Sequence, residues 1–405
     1  MCKYTEILNY GEDIHSPDVV VGFPREVSGF AIHRSLSRHG IRMGMYDSDK
    51  NSAGLYLKGL KFRREFPDPV SNETGFIEEL LKYGDRRNPP VLTDLESAAV
   101  EVIGRYQDEI RKRYRLVLPS QEILDIALDK AQTVKFFRDY NLSVPKTIVV
   151  KGTSTLTQWG NCYPAVFKPR RGKGGRGQVV VNSNSDALEF LNNPEITHED
   201  YIMQEWIPGP VTNLFNCGLI CAPGGKVRAT YSGQRLGVTQ SSSVLEGVSS
   251  YARSIRIQEL IDIAIMVVEE TGWEGLAEFE FKKDNRDGSY KLLEINPRFW
   301  ASIQLPIACG IDFPRLYYDI ARYGDCQKIY KFEENIYYYR CFLHLYTQTY
   351  KFRNGDIGFR QLIKESVRPY LNKIMGYEKI VLEDIKLSRE YFRWFMFYFK
   401  ETMKR

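Results

Sequence analysis

Residues 275–300, "GLAEFEFKKDNRDGSYKLLEINPRFW", have the pattern of two β-strands joined by a tight turn at "DNRDGS". Successive side chains of a strand point to opposite faces, so Glu278 and Glu280 share one face, as do Glu294 and Asn296. The turn places the two strands side by side. We therefore expect Glu280, Glu294 and Asn296 to converge on one patch of the sheet.

Such a patch has the chemistry of a hard-cation site. Carboxylate and amide oxygens suit Mg²⁺, which usually keeps substrate phosphates as further ligands. The alternative is a polar sheet face open to water, and a pair of glutamates alone would favour that alternative. A separate phosphate-binding motif elsewhere in the chain would favour the interpretation as a metal site.

The stretch 168–177, "KPRRGKGGRG", supplies such a motif, because it contains five basic residues and four glycines. The flanking runs "YPAVFKP" and "QVVVNS" read as strands, which predicts a hairpin loop rather than a disordered linker. Glycine backbones can present several N–H groups to phosphate oxygens, and lysines add positive charge. The loop is not a Walker A motif, because no GK[ST] opens a helix after it.

A third motif, "MQEWIPG" at 203–209, predicts a hinge strand between two lobes. Backbone groups of such a strand can bind the edge of an adenine ring. Taken alone, the Trp-Ile-Pro run is more commonly part of a hydrophobic core.

Together with "LPSQEILDIALDK" at 118–130, these motifs resemble the ATP-grasp superfamily of carboxylate–amine ligases, in which two α+β lobes clamp ATP. The resemblance covers roughly residues 90–325. It is nearest to the carboligase branch that includes bacterial D-aspartate ligases, and more distant from the lobes of carbamoyl-phosphate synthetase. Upstream, "DVVVG", a helical pattern and "IRMGMYDSD" form a βαβ unit that looks like a pre-ATP-grasp domain. This unit lacks the GxGxxG fingerprint of dinucleotide binding.

The resemblance implies roles for individual residues. The implied nucleotide-binding set comprises Lys130 and Lys168 at the phosphates, Gly174 and Gly175 in a lid over the β- and γ-phosphates, and the backbone of Glu205, Trp206 and Ile207 at adenine. The implied metal and catalytic set comprises Glu280, Glu294 and Asn296 for magnesium, Arg298 and Lys168 for the transferred phosphoryl group, and Arg235 for a substrate carboxylate or phosphate. Many relatives carry an acidic residue for ribose after the hinge, where this chain offers Thr212 and Asn213.

The implied cofactors are ATP and two Mg²⁺ ions, with Mn²⁺ as an alternative. The implied reaction activates a carboxylate as an acyl phosphate, which an amine then attacks. The protein positions the reactants, neutralises charge and excludes water. The acid is expected to be an amino acid or a small carboxylic acid. Transfer of D-aspartate to a cell-wall precursor, dipeptide formation and natural-product tailoring all remain open. A kinase acting on a hydroxyl and a regulatory nucleotide-binding protein without turnover are the alternative functions.

The predicted fold class combines α/β and α+β architecture. We expect a Rossmann-like pre-ATP-grasp domain at 1–119, a small ATP-grasp lobe with the phosphate lid at 120–203, and a large lobe with the magnesium site at 204–330. A helical C-terminal extension, basic and rich in aromatic residues, is expected at 331–405.

Composition and charge distribution exclude several classes of protein and of binding partner. The 405 residues include seven scattered cysteines and five histidines, which argues against a disulfide framework and a structural zinc site. This usage, an N-terminus without an apolar core and the lack of a run of ~20 apolar residues predict a cytoplasmic protein without a membrane span. Residues 340–405 carry 14 Lys or Arg against 7 Asp or Glu, so the basic excess lies in the tail and no nucleic-acid partner is expected.

The final segment, "YFRWFMFYFKETMKR", allows two interpretations. It either packs its aromatic face on the body of the protein or makes a weak contact with an anionic membrane surface. Aromatic residues nearly encircle the segment, as in buried helices, which favours packing. Small-molecule carboxylate and amine substrates are expected. A homo-oligomer is also expected, although no sequence feature supports it.

Overall fold

Three β-sheets organise the part of the chain that this computed structural model describes, namely residues 17–25, 27–172, 177–240, 246–374 and 380–382. The combination of a parallel sheet with two largely antiparallel sheets confirms the predicted fold class.

The first sheet is parallel, with strand order β3-β2-β1-β4. Its strands are β1 (Val19–Gly22), β2 (Met43–Asp47), β3 (Phe62–Glu65) and β4 (Val91–Asp94). The helices beside it are α1 (Val27–Arg38), α2 (Glu73–Tyr83), α3 (Ser97–Arg105) and α4 (Gln107–Ile110). We call these eight elements the N-terminal region. They confirm the predicted βαβ unit, and the strand order reverses at β1 and β4, where α/β sheets commonly bind ligands at their carboxyl ends.

The second sheet, called the small sheet, has the order β5-β8-β6-β7 and antiparallel pairing. Its strands are β5 (Thr147–Val149), β6 (Ala165–Pro169), β7 (Val179–Val181) and β8 (Tyr201–Glu205). The accompanying helices are α5 (Gln121–Leu128), α6 (Lys130–Asp139), α7 (Ser154–Trp159) and α8 (Asn184–Leu191).

Pairing of β6 with β7 confirms the hairpin predicted around the basic loop. Residues 173–176 of that loop, including Gly174 and Gly175, lie outside the described residues. Upstream of the small sheet, α5 and α6 are separated at Asp129, whose side chain accepts a hydrogen bond from the backbone of Ala131 and caps α6. Lys130 is therefore the first residue of α6.

The third sheet, called the large sheet, has the order β13-β12-β9-β10-β11-β14-β15. Its strands are β9 (Leu214–Ala222), β10 (Lys226–Gln240), β11 (Glu246–Ser254), β12 (Gly275–Lys283), β13 (Tyr290–Asn296), β14 (Tyr337–Tyr339) and β15 (Ile380–Leu382). The remaining helices are α9 (Gln258–Thr271), α10 (Gln304–Ala308), α11 (Phe313–Tyr323), α12 (Cys341–Arg353) and α13 (Phe359–Ile374).

The C-terminal extension contains the predicted helices, α12 and α13, and also contributes two strands. Strand β14 pairs antiparallel with β11, and β15 pairs parallel with β14, so the extension forms one edge of the large sheet. The aromatic segment 391–405 lies outside the described residues. Within the described residues, no helix has both the length and the apolarity that a membrane crossing requires.

One hydrophobic cluster joins the N-terminal region to the large sheet. It contains Val19 of β1 and Met45 of β2 together with Ile220 of β9 and Trp300. A hydrogen bond from the Tyr317 hydroxyl of α11 to the backbone of β4 crosses the same boundary. The N-terminal region therefore packs directly against the sheet that carries the acidic hairpin.

Candidate active site

Strands β9, β12 and β13 bring a set of acids and amides to one face of the large sheet. Glu280 lies opposite Glu294 on one side and opposite Asn216 on the other, while Glu278 lies opposite Asn296. The Asn296 amide nitrogen is 3.3–3.4 Å from an oxygen of each of the three carboxylates. The predicted convergence of Glu280, Glu294 and Asn296 is therefore present, with Glu278 and Asn216 as further members.

Burial perturbs these acids strongly. Burial, followed by the neighbouring charge of Glu280, raises the pKa of Glu278 to about 8. Burial also raises the pKa of Glu280, against the opposing effect of Arg235. For Glu294, burial alone would raise the pKa, but the charges of nearby cationic groups outweigh it and the pKa is lowered. These cationic groups are Lys130, Lys168 and Arg298.

Two lysines beside the small sheet, Lys130 and Lys168, are among the charges that lower the pKa of Glu294. Lys130 begins α6, and its ammonium donates to the carbonyl of Gly172 at 3.2 Å. Lys168 lies on β6 and donates to the Gln204 side chain at 2.7 Å. Both lysines are close enough to Glu294 for their charges to lower the pKa of its carboxyl group, so they lie near the acidic face of the large sheet.

The two arginines that the resemblance singles out both contact the acidic face. Arg235 of β10 forms an ion pair with Glu280, with 2.6 Å between Nη2 and Oε2. Arg298 donates from Nη2 to the Asn296 oxygen at 3.1 Å and from Nη1 to the Phe299 carbonyl at 3.0 Å. Its Nε donates to the hydroxyl of Ser97, at the start of α3, at 2.8 Å.

The hinge residues are partly engaged within the protein. The N–H groups of Glu205 and Trp206 donate to the carbonyls of Lys146 and Pro164. The N–H of Ile207 has no acceptor in the described part of the chain, so it is the hinge N–H left for a ligand.

The Glu205 carboxylate links the small sheet to the β12–β13 turn. It accepts from the backbone of Lys146 and forms an ion pair with Arg286. The ammonium of Lys282 lies 5.0 Å from the centre of the Trp206 ring. These contacts hold the hinge between the two sheets.

Thr212 and Asn213 lie directly before β9. The Asn213 amide donates to the Lys283 carbonyl and to the Asn285 side chain, at 2.9 and 2.6 Å. The carbonyl of Thr212 accepts from Gln234. Both residues are therefore placed beside the β12–β13 turn, and their contact with ribose stays a prediction.

The basic side chains at the start of the loop do not all act on the acidic face. Arg170 forms an ion pair with Asp129, and Arg171 bridges Glu101 of α3 and Asp125 of α5 at 2.7 and 2.8 Å. The composition of the loop does not distinguish basic residues that act on the site from basic residues that form ion pairs with helices. The structure separates Lys168, which affects the acidic face, from two arginines that hold the root of the loop to helices.

The donor set suits Mg²⁺. Two carboxylates and one amide leave about half of an octahedral coordination sphere to water and phosphates, which Mg²⁺ usually keeps as ligands. Within the described residues, no group of three or more His, Cys, Asp or Glu side chains is arranged so that it could hold a metal ion. Ligation by Asn296 requires its amide to turn, because its nitrogen faces the carboxylates. The ion pair with Arg235 uses Oε2 of Glu280, and Oε1 lies beside the Asn296 amide.

The sequence did not predict a functional role for three residues that the structure places in the site. Strand alternation already placed Glu278 beside Glu280, so its membership could have been inferred. No local signal marks Asn216, whose amide donates to Glu278 at 3.1 Å, or Ser97, which lies 201 positions from Arg298.

Residues 127–302 match the model of the ATP-grasp domain family. Solved structures of this fold superpose on most of the chain. A biotin carboxylase from Campylobacter jejuni has a TM-score of 0.62 at 17% identity, covering 79% of this chain and 74% of its own. An L-amino acid ligase from Bacillus licheniformis has a TM-score of 0.58 at 16% identity, covering 76% and 74%.

Two kinds of ligase are similar in sequence. A D-alanine–D-alanine ligase of Wolbachia pipientis wMel is 24% identical over 203 residues, 47% of this chain and 63% of that protein. A D-aspartate ligase of Enterococcus faecium (strain Aus0004) is 23% identical over 251 residues, 57% of this chain and 58% of that protein. The chain thus spans about three fifths of the length of these relatives.

Proposed function

We propose that this protein is an ATP-dependent ligase that activates a carboxylate as an acyl phosphate and joins it to an amine, releasing ADP and phosphate. The observation that carries the proposal is the cluster of three glutamates around the Asn296 amide, which Arg235 and Arg298 contact. Lys130 and Lys168 are close enough to lower the pKa of Glu294 in that cluster. Similarity to proteins named as D-alanine–D-alanine, D-aspartate and L-amino acid ligases supports this reaction class.

The nucleotide would bind between the small and large sheets. Lys130 and Lys168 would contact its phosphates, and the free N–H of Ile207 would donate to adenine. Gly174 and Gly175 keep their predicted place over the phosphates, and Thr212 and Asn213 keep theirs at the ribose. In this proposal residues 120–203 supply the phosphate contacts and residues 204–330 supply the metal site.

Glu280, Glu294 and Asn296 would hold the metal. Bound Mg²⁺ would neutralise charge on the phosphoryl group during its transfer. We propose two such ions, with Mn²⁺ as a substitute. The face fits a cation because buried carboxylates that lack sufficient positive charge are costly to ionise.

The chemistry explains why ATP is needed. A free carboxylate cannot acylate an amine at neutral pH, because oxide is a very poor leaving group. Transfer of the γ-phosphoryl group to a carboxylate oxygen gives an acyl phosphate. The amine then attacks the acyl carbon, and the C–O bond to phosphate breaks. Arg298 would neutralise the phosphoryl oxygens in both steps, and Arg235 would bind substrate carboxylate or phosphate.

The proposed substrates are an amino acid or other small carboxylic acid and a small amine. We place the reaction in the cytoplasm, where ATP is available and where the described cysteines would remain reduced. Weak contact of the C-terminal segment with an anionic membrane and a homo-oligomeric state remain predictions from the sequence.

The test is incubation of the full chain with ATP, Mg²⁺ and pooled amino acids, followed by phosphate assay and mass spectrometry. We expect phosphate release that requires two acceptors, together with an amide product. A phosphorylated product without an amide would indicate a kinase instead. Nucleotide binding without phosphate release would indicate a regulatory protein.

Matched variants connect the reaction to the site. Arg298→Met should abolish amide formation. Arg315→Met should leave it unchanged, because Arg315 pairs with Asp319 on α11. Equal activity of the two variants would contradict the role assigned to Arg298.

A further inference from the structure

The guanidinium of Arg298 is fixed by three acceptors that come from two parts of the molecule. Asn296 and Phe299 are its neighbours in the chain, and they accept from Nη2 and Nη1. Ser97 belongs to the N-terminal region and accepts from Nε at 2.8 Å. The N-terminal region thus reaches the side chain to which the proposed function assigns phosphoryl stabilisation.

Ser97 has no role in capping its own helix. It is the first residue of α3, and the preceding cap residue, Glu96, makes no side-chain cap hydrogen bond. The residue is 9% exposed, and the hydrogen bond from Arg298 is the contact of its hydroxyl that the structure shows. Loss of this hydroxyl should therefore affect Arg298 more than it affects the helix.

The three bonds leave a defined part of Arg298 available to a ligand. A guanidinium has five N–H donors, and the acceptors take the Nε donor and one donor on each terminal nitrogen. One donor on Nη1 and one on Nη2 remain. Because the planar group is held on three sides, the direction of these remaining donors is fixed before an anion binds.

The surroundings of Arg298 place this contact at the boundary between the N-terminal region and the large sheet. A small cavity there is lined by Thr93 and Asp94, at the end of β4, and by Pro297 and Arg298. Strand β4 is one of the two strands at which the order of the parallel sheet reverses. Ser97 follows it by three positions, so the cavity and the hydrogen bond lie at the same end of the sheet.

We propose that Ser97 is a positioning residue, which orients Arg298 for phosphoryl transfer and so makes the N-terminal region a contributor to turnover. The inference rests on the proposed function, because it uses the role assigned there to Arg298. It adds a residue outside the segment that matches the ATP-grasp family.

The test compares three variants of the full chain under steady-state conditions. We expect Ser97→Ala to lower kcat by about 10-fold or more, the usual effect of losing a hydrogen bond to a charged group, while KM for ATP changes less than about twofold. Ser97→Thr should recover most of kcat, because it keeps the hydroxyl.

Ser35→Ala is the matched control. Ser35 is also a buried serine of the N-terminal region, and its hydroxyl donates to Asp312 at 2.5 Å across the same boundary. Its loss should lower the melting temperature at least as much as the loss of Ser97 does, with kcat unchanged.

The outcomes separate the two hypotheses. An active wild-type enzyme whose kcat is unaffected by Ser97→Ala would overturn the positioning role alone. A fall in kcat of equal size in Ser35→Ala would also overturn it, because the effect would then be structural. Absence of amide formation by the wild-type protein would overturn the proposed function itself.

Discussion

The acidic face of the large sheet and the root of the basic loop carry opposite charge in different physical settings. On the large sheet, Glu278 is only 4% exposed and the Glu280 side chain is 15% exposed. At the root of the basic loop, the side chains of Arg170 and Arg171 are 29% and 38% exposed, and each is paired with carboxylates.

This difference separates charges that are expected to act on a ligand from the arginine ion pairs that hold the root of the loop in place. Buried like charges raise the free energy of the folded state unless a cation compensates them, so they are typical of functional sites. Half-exposed ion pairs at a surface contribute little stability and are common. We therefore expect substitutions to have large effects on the acidic side and small effects at the root of the loop.

The largest effect is expected for Glu294→Ala. The substitution removes a proposed metal ligand, and kcat should fall by about 1,000-fold or more while the far-ultraviolet circular dichroism stays unchanged. The control is Glu270→Ala, since Glu270 is an exposed glutamate of α9. Turnover near the wild-type level in the Glu294 variant would refute the metal assignment.

An intermediate effect concerns the pH dependence of stability. The pKa of Glu278 is about 8 in the folded protein, against 4.5 for an ordinary glutamate. The folded state therefore keeps a proton that the unfolded chain releases. Its contribution to stability is fully present below about pH 4.5 and declines as the pH rises towards 8.

Urea unfolding in the presence of a chelator tests this at pH 5.5 and pH 8.5. The wild-type protein should lose up to about 3 kcal/mol between the two values. Glu278→Gln, which mimics the protonated acid, should lose clearly less, and Glu270→Gln should behave as the wild type does. A Glu278 variant with the wild-type pH dependence would contradict the assignment.

The smallest effect is expected for Arg171→Ala. Its partners Glu101 and Asp125 are solvent-accessible, so the free energy of unfolding should fall by no more than about 1 kcal/mol, and less in 1 M salt. Arg87→Ala, at an exposed position, is the control. A loss several times larger would mean that the root of the loop is as constrained as the acidic face.

The sequence alone predicted the position of site residues where residues close in the chain determine the geometry. Alternation along β12 and β13 and the short "DNRDGS" turn placed Glu280, Glu294 and Asn296 together, and the observed register agrees. The helix cap at Asp129 also has a local signal, since aspartate is a preferred N-cap residue.

The sequence alone did not predict contacts between residues that are far apart in the chain. Asn216 joins the acidic face because β9 pairs with β12, and no pattern around it indicates that pairing. The partners of Arg171 belong to α3 and α5, up to 70 positions away. Strands β14 and β15 are three residues each, too short to show an alternation.

The hydrophobic cluster shared by the N-terminal region and the large sheet limits how the protein can be divided. Its members run from Val19 to Tyr338 and include side chains of α11, which follows the family-matched segment. A fragment restricted to residues 127–302 would lose the members of this cluster that lie outside it, from Val19 to Val117 and from Ile303 to Tyr338. A chimaera with a different N-terminal region would also need compatible residues at 303–338, because side chains of the two stretches pack in the same hydrophobic cluster.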